Sequence, residues 1–122
     1  MSSRNNRRSE RIATDLKVRW IRRSQVVELA AIDMNQHGMF LACEEQVNTG
    51  QLLQIEVLVP GEPLTMFVVV RFVGETHSGK GMGVELYLMD DKYRAQWAAF
   101  YRSELAAFRR RAATAAAAAR SA

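Results

Sequence analysis

The residues of this sequence that are best suited to chemistry are arginines close to its start. Arg7 and Arg11 are spaced as R-x-x-x-R, and Arg8 lies between them. A guanidinium group is planar, permanently charged and forked, so it can hold a phosphate or the O6 and N7 acceptors of guanine through two hydrogen bonds. It can also stack on a base. The expected chemistry is therefore recognition of an anionic ligand, and the alternative is a solvated basic tail.

A second polar cluster runs from Asp33 to Gly38 and has the pattern D-x-N-x-x-G. The Asp33 carboxylate can accept hydrogen bonds from ligand N–H groups, and Asn35 offers both a donor and an acceptor. Gly38 can adopt a positive φ and would allow a ligand to approach the backbone. The alternative role for Asp33 and Asn35 is an Asx-type turn between two strands. We favour ligand binding because the cluster occurs together with the arginines.

Few residues are suited to catalysis or metal binding. Neither His37 nor His77 is spaced with Cys, Asp or Glu as in a familiar zinc site, so no metal or cofactor is expected. The segment Ser78 to Gly81 lacks the spacing of a phosphate-binding loop, and a hairpin loop is the better interpretation. Cys43 lies in a strand-like pattern and is expected to be a small buried apolar residue. These observations argue against an enzyme.

The net charge of +4 is concentrated at the two ends of the chain. Residues 1–11 carry four arginines and one glutamate, and residues 109–122 carry four arginines and no acid. Of the 17 basic and 13 acidic residues, the body between the ends therefore has nine basic and twelve acidic, a net charge of −3. A barrel that binds nucleic acid through its face should have a basic body. Nucleic-acid binding through the basic ends remains a disfavoured alternative.

The apolar pattern indicates neither a membrane span nor a secretory signal. No apolar run approaches the length that a membrane span requires. The segment from Ile12 to Arg23 alternates with charges and does not form the apolar stretch of a signal peptide. The single cysteine cannot form an internal disulfide, which fits a reducing compartment. A cytoplasmic location is expected.

Alternation of apolar and polar residues predicts a series of β-strands. A polar loop is expected at residues 74–81. Strands with short connections and no helix between them favour an antiparallel sheet that closes or folds over. The candidate strands are Leu16–Arg22, Gln25–Ile32, Gly38–Cys43, Gln51–Val59, Leu64–Val73 and Gly83–Leu88.

The spacing becomes helical after the strands, with Asp90 or Asp91 as the N-cap. Aromatic residues along this helix are expected to cap an open end of the barrel. The alanine-rich residues 112–122 can extend the helix by propensity but have no face to bury, so fraying is expected. The predicted organisation is a flexible basic arm at 1–11, a β-barrel at 12–89, a helix at 90–111 and a tail at 112–122.

The two motifs, together with the late segment Gly81 to Leu86, resemble the PilZ domain family. That family has R-x-x-x-R near the start of the domain and [DN]-x-S-x-x-G after the second strand. The resemblance implies a six-stranded antiparallel β-barrel of split-barrel type with a C-terminal α-helix. It implies a non-enzymatic bacterial receptor for cyclic di-GMP that signals to a separate protein partner. The implied ligand-binding residues are Arg7, Arg8, Arg11, Asp33, Asn35 and Gly38.

Asn35 stands where the family pattern has serine. Its amide is longer than a hydroxyl and does not rotate as freely, so it would either crowd a guanine or turn away from it. Two functions remain open on this evidence. One is a nucleotide receptor, and the other is a related protein-interaction module that binds no nucleotide.

Overall fold

The computed structural model describes residues 10–121, so the predicted arm residues Arg7 and Arg8 lie outside the described residues. Within this range the chain forms β-strands followed by one helix. The elements are β1 (Ile12–Ala13), β2 (Lys17–Ile21), β3 (Val26–Asn35), β4 (Gly38–Ala42), β5 (Leu52–Val57), β6 (Leu64–Thr76), β7 (Gly79–Leu88) and α1 (Asp91–Ser121).

The strands close into a barrel with the neighbour order β3-β2-β5-β6-β7-β4, and β4 pairs back to β3. Every pairing is antiparallel. The two-residue β1 adds to β3, with Ile12 opposite Met34 and Ala13 opposite Asp33. The six-stranded antiparallel barrel with a C-terminal helix is therefore confirmed. Strand β1 was not predicted, because two residues are too few to show an alternating pattern.

Alternate side chains of the strands fill the barrel. Val18, Leu41, Ile55 and Val68 have no exposed surface, and full burial of such a side chain stabilises the fold by about 1.5–3 kcal/mol. Cys43 is buried with them, as expected. Burial raises the pKa of the Cys43 thiol above its ordinary value, so the thiol is neutral at physiological pH.

The segment at residues 74–81 is not the polar loop expected from the sequence. β6 continues to Thr76 and β7 starts at Gly79, so only His77 and Ser78 form the turn. Gly79 has a φ of 108°, which glycine adopts at little cost. The outer end of this hairpin is exposed from Glu75 onward. When both faces of a β-ribbon are in solvent, its apolar and polar residues do not need to alternate. The sequence pattern therefore did not indicate strands in this segment.

The helix α1 buries an aromatic stripe against the barrel, as expected. Trp97 and Tyr101 are buried, and further apolar side chains pack beside them. Asp90 caps the helix, because its Oδ1 accepts a hydrogen bond from the Lys92 backbone N–H at 3.1 Å. Within residues 10–121, no helix is long and apolar enough to cross a membrane.

The helix extends further than the boundary at residue 111 that the sequence suggested. It is continuous to Ser121, and residues 112–120 are exposed on all sides. Alanine has the highest intrinsic helix propensity, so this segment continues a helix that is already nucleated by its packed part. The result is a helical extension that carries Arg120 into solvent and continues from the exposed residues Arg110 and Arg111.

Candidate ligand-binding site

The motif from Asp33 to Gly38 forms the β3–β4 hairpin. Asn35 is opposite Gly38 in the register, so only Gln36 and His37 form the turn. Neither turn residue has a positive φ, although tight hairpins usually use turns that require one. The Asn35 side chain compensates, because its Oδ1 accepts hydrogen bonds from the backbone N–H groups of His37 at 2.8 Å and Gly38 at 2.9 Å. For Asn35, the Asx-type turn is therefore present.

The amide of Asn35 points into the hairpin, and the residue is only 3% exposed. Its Oδ1 is turned toward the backbone of the turn, and whether the amide would crowd a guanine or turn away from it stays a prediction. Replacing serine with asparagine at this position preserves an oxygen that can accept from the turn. Asn35 still lines the cleft described below.

Gly38 has a different role from the one expected. Its φ is not positive; among described residues, the glycines with a positive φ are Gly50, Gly61 and Gly79. A Cβ at Gly38 would lie 2.2 Å from the backbone O of Val84 on β7. Glycine is required because β4 and β7 approach closely at this point, and the expectation of a left-handed conformation was wrong.

Gly38→Ala should therefore lower the free energy of unfolding by about 1–3 kcal/mol, the usual cost of forcing extra volume into a packed site. Gly83→Ala is the matched control on the facing strand, because a Cβ there meets Phe72 Cβ at an ordinary 3.5 Å. Urea unfolding of both variants measures the difference. Equal stability of the two variants would contradict the close approach.

Arg11 and Asp33 are brought together by β1. Arg11 directly precedes β1, and its guanidinium donates a hydrogen bond to Asp33 Oδ1. Asp33 points outward because of a β-bulge between Ala31 and Asp33. Leu29 and Ala31 are buried, and the next buried side chain is Met34. Without the extra residue, Asp33 would share the inward phase of Ala31.

A second bulge has the same effect on β6. Val68 and Val70 point inward, and the register then shifts between Val70 and Phe72, so Arg71 is the extra residue. Phe72, which would otherwise point into the core, is 46% exposed. Arg71 donates from Nε to Glu85 Oε1 on β7 at 2.7 Å.

These features surround one cleft of about 170 Å³. The cleft unites residues of both sequence motifs, since Arg11, Asn35 and Gly38 all line it. Asp33 joins this group through its ion pair with Arg11. The full lining is Arg11, Asn35, His37, Gly38, Arg71, Phe72, Gly83, Val84 and Glu85.

Arg71, Phe72 and Glu85 of the cleft escaped the sequence analysis, which considered the fourth such residue, His37, only as a metal ligand. The sequence carried no signal for these three, because the apolar phase of Leu64, Met66, Val68 and Val70 continues to Phe72. Among residues 10–121, no group of His, Cys, Asp and Glu side chains is arranged to hold a metal ion. The residues that line the cleft offer two guanidinium groups, the Glu85 carboxylate and aromatic rings to a ligand.

Helix α1 contacts both parts of the site. Trp97 Nε1 donates to the backbone O of Gln36 in the hairpin turn at 2.9 Å. Tyr101 donates its hydroxyl proton to the backbone O of Glu10, and Arg109 donates to Glu10 Oε1 at 2.9 Å. The residue just before Arg11 and the turn that follows Asn35 are thus bonded to the same helix.

The sequence matches the family described as "PilZ domain" over residues 5–103. No curated protein matches the sequence significantly. Among the solved structures to which the folded chain is similar, three have sequence identities of 13–15%, and this likeness supports the fold alone.

The first structure is the inhibitor of motility MotI/DgrA of Bacillus subtilis, with a TM-score of 0.66, 13% identity, and coverage of 80% of this chain and 50% of that one. The second is YcgR of Escherichia coli in complex with c-di-GMP, with a TM-score of 0.70, 15% identity and coverage of 88% and 50%. The third is the PilZ domain of YcgR with c-di-GMP, with a TM-score of 0.62, 14% identity and coverage of 89% and 95%. This chain thus spans about half the length of MotI/DgrA and of the longer YcgR chain.

Proposed function

Because this chain belongs to the PilZ domain family, we propose that it is a receptor that binds cyclic di-GMP in the cleft between its N-terminal segment and the β3–β4 hairpin. PilZ domains are non-catalytic receptors for this nucleotide. The observation that carries the proposal is the pairing of Arg11 with Asp33 beside the cleft that Asn35 and Gly38 line. Two motifs distant in sequence meet at one surface.

Each group has a chemical role in this proposal. Arg11, with Arg7 and Arg8 of the arm, supplies guanidinium groups for the phosphates and for guanine O6 and N7. The Asp33 carboxylate accepts from guanine N–H groups. Asn35 acts from inside the turn, where it holds the backbone N–H of Gly38 in place.

Ordering of the arm on the ligand would cost about 1–2 kcal/mol for each residue fixed. Charge-assisted hydrogen bonds of roughly 1.5–3 kcal/mol each offset that cost. The exposed Arg11–Asp33 pair contributes little to folding by itself, because exposed ion pairs are worth about 0–1 kcal/mol. Replacing this ion pair with contacts to the ligand therefore costs little folding free energy.

The output of the proposed receptor passes through α1 to a separate protein partner. Ligand binding would shift the arm and the hairpin turn, and both are bonded to α1 through Glu10 and Gln36. A partner would then read the surface that the arm and helix form together, as in other order–disorder switches. Since cyclic di-GMP is an intracellular messenger, we place this action in the cytoplasm.

Calorimetric titration of the full chain with cyclic di-GMP at near-physiological salt tests the proposal. Saturable binding is expected, with the linear dinucleotide pGpG as the control ligand. If cyclic di-GMP did not bind, the result would favour the second candidate function, a protein-interaction module. That candidate is retained because Asn35 stands where the family pattern has serine.

Deleting residues 112–122 should leave nucleotide affinity unchanged and the free energy of unfolding within about 0.5 kcal/mol. The reason is that residues 112–120 are exposed and contribute nothing to the buried stripe. Titration of the truncated chain with cyclic di-GMP and with duplex DNA, at two salt concentrations, measures both properties. A nucleic-acid binder that used its basic ends would lose DNA affinity on truncation and show a shallower salt dependence.

A further inference from the structure

Arg71 and Glu85 form a second arginine–carboxylate pair in the cleft that lies outside both sequence motifs. Arg71 Nε is 2.7 Å from Glu85 Oε1, and the two side chains are 63% and 39% exposed. In the register of β4 and β7, Glu85 lies directly opposite Gly38, the last residue of the D-x-N-x-x-G motif. The pair is therefore built onto the same strands as the motif hairpin.

The pair does little for the fold. An exposed ion pair is worth about 0–1 kcal/mol, and Arg71 is an extra residue that interrupts the β6 ladder. Bulges occur preferentially beside functional sites, where they redirect side chains. This one turns Arg71 outward and leaves Phe72 46% exposed in the lining of the cleft, where its ring is accessible to a ligand.

An arginine beside a carboxylate complements the hydrogen-bonding groups on two adjacent edges of guanine. The guanidinium can donate to O6 and N7, and the carboxylate can accept from N1–H and the 2-amino group. Adenine keeps the N7 acceptor, but its 6-amino group would face the guanidinium in place of O6 and its unprotonated N1 would face the carboxylate. The exposed Phe72 ring offers a stacking surface for a base of either kind.

The cleft then holds two pairs of the same chemistry. The Arg11–Asp33 pair comes from the motifs, and the Arg71–Glu85 pair comes from the β6 bulge and β7. Arg11 and Arg71 line the same cavity. Cyclic di-GMP carries two guanines, so two such pairs match a ligand with two identical bases.

Resting on the proposed function, we infer that Arg71 and Glu85 read the second guanine of the nucleotide. Arg71 and Glu85 exchange their mutual hydrogen bond for contacts with that base, and Phe72 stacks on it. The site thereby selects a cyclic dinucleotide with guanine in both halves over one that carries a single guanine.

The test compares cyclic di-GMP with 3′,3′-cyclic GMP-AMP on the full chain by calorimetry. Wild type should prefer cyclic di-GMP by at least about tenfold, the size expected from one charged hydrogen bond. Glu85→Gln and Arg71→Ala should each weaken cyclic di-GMP binding by about tenfold or more and affect the mixed dinucleotide less. In both variants the ratio of the two dissociation constants, mixed dinucleotide over cyclic di-GMP, should therefore fall toward one.

Glu45→Gln is the matched control, because Glu45 accepts from Arg22 at 2.9 Å in an exposed pair that does not line the cleft. It should change neither affinity nor preference, and all variants should melt at the wild-type temperature. Wild-type binding of cyclic di-GMP with an unchanged preference in Glu85→Gln overturns the inference and leaves the receptor intact. Failure of the wild type to bind cyclic di-GMP overturns both.

Discussion

Arg11→Ala is expected to weaken cyclic di-GMP binding by about 2–3 kcal/mol, which corresponds to roughly 30- to 150-fold in Kd. The substitution removes a charge-assisted contact to the ligand and leaves the Asp33 carboxylate without its cation. The melting temperature of the free protein should change little, because Arg11 is exposed and its ion pair is exposed too. Arg7→Ala should weaken binding similarly. Calorimetry and thermal unfolding measure the two properties.

Arg22→Ala is the control for this experiment, since Arg22 also forms an exposed ion pair, with Glu45, but lies away from the cleft. It should bind like wild type. Equal binding by Arg11→Ala and wild type would mean that the arm is a solvated tail. Weak binding by Arg22→Ala as well would point to a general electrostatic attraction instead of a specific contact.

Trp97→Ala should reduce the free energy of unfolding by about 3–5 kcal/mol, the usual cost of removing a large buried aromatic side chain. Trp97 is 2% exposed and packs beside Phe100, with ring centroids 6.1 Å apart. The variant also loses the hydrogen bond to the Gln36 carbonyl. Urea unfolding followed by circular dichroism measures the loss.

Trp97→Phe separates the two contributions of this side chain. It keeps an aromatic ring in the interface and removes the indole N–H, so the loss from the missing hydrogen bond should be about 1 kcal/mol. If alanine and phenylalanine at this position destabilised the protein equally, packing of α1 on the barrel would not depend on the ring.

Much of the fold was accessible from the sequence because one face of each strand is buried. The alternation around Val18, Ile55 and Val68 predicted strands that the structure contains, and the helical spacing around Trp97 and Tyr101 predicted α1. These signals are strong because a shift by one residue would move every apolar side chain from the core to solvent.

The parts that the sequence did not predict are those where this periodicity breaks. A bulge adds one residue, and a single sequence does not tell whether Phe72 continues the inward phase or leaves it. Arg71 and Phe72 of the cleft were missed for this reason. The role of Gly38 within the motif could not be predicted either. Glycine is required there because of the Val84 backbone on β7, a strand that neighbours β4 in space but is distant in sequence.

The contacts of α1 with Glu10 and Gln36 have a thermodynamic consequence. If an effector that engages the helix changes the affinity for a ligand in the cleft, then that ligand must change the affinity for the effector by the same factor. Such coupling free energies are typically about 1–3 kcal/mol. If the proposed function holds, a protein captured more tightly by the ligand-bound form would, in return, raise the sensitivity of the chain to low concentrations of cyclic di-GMP.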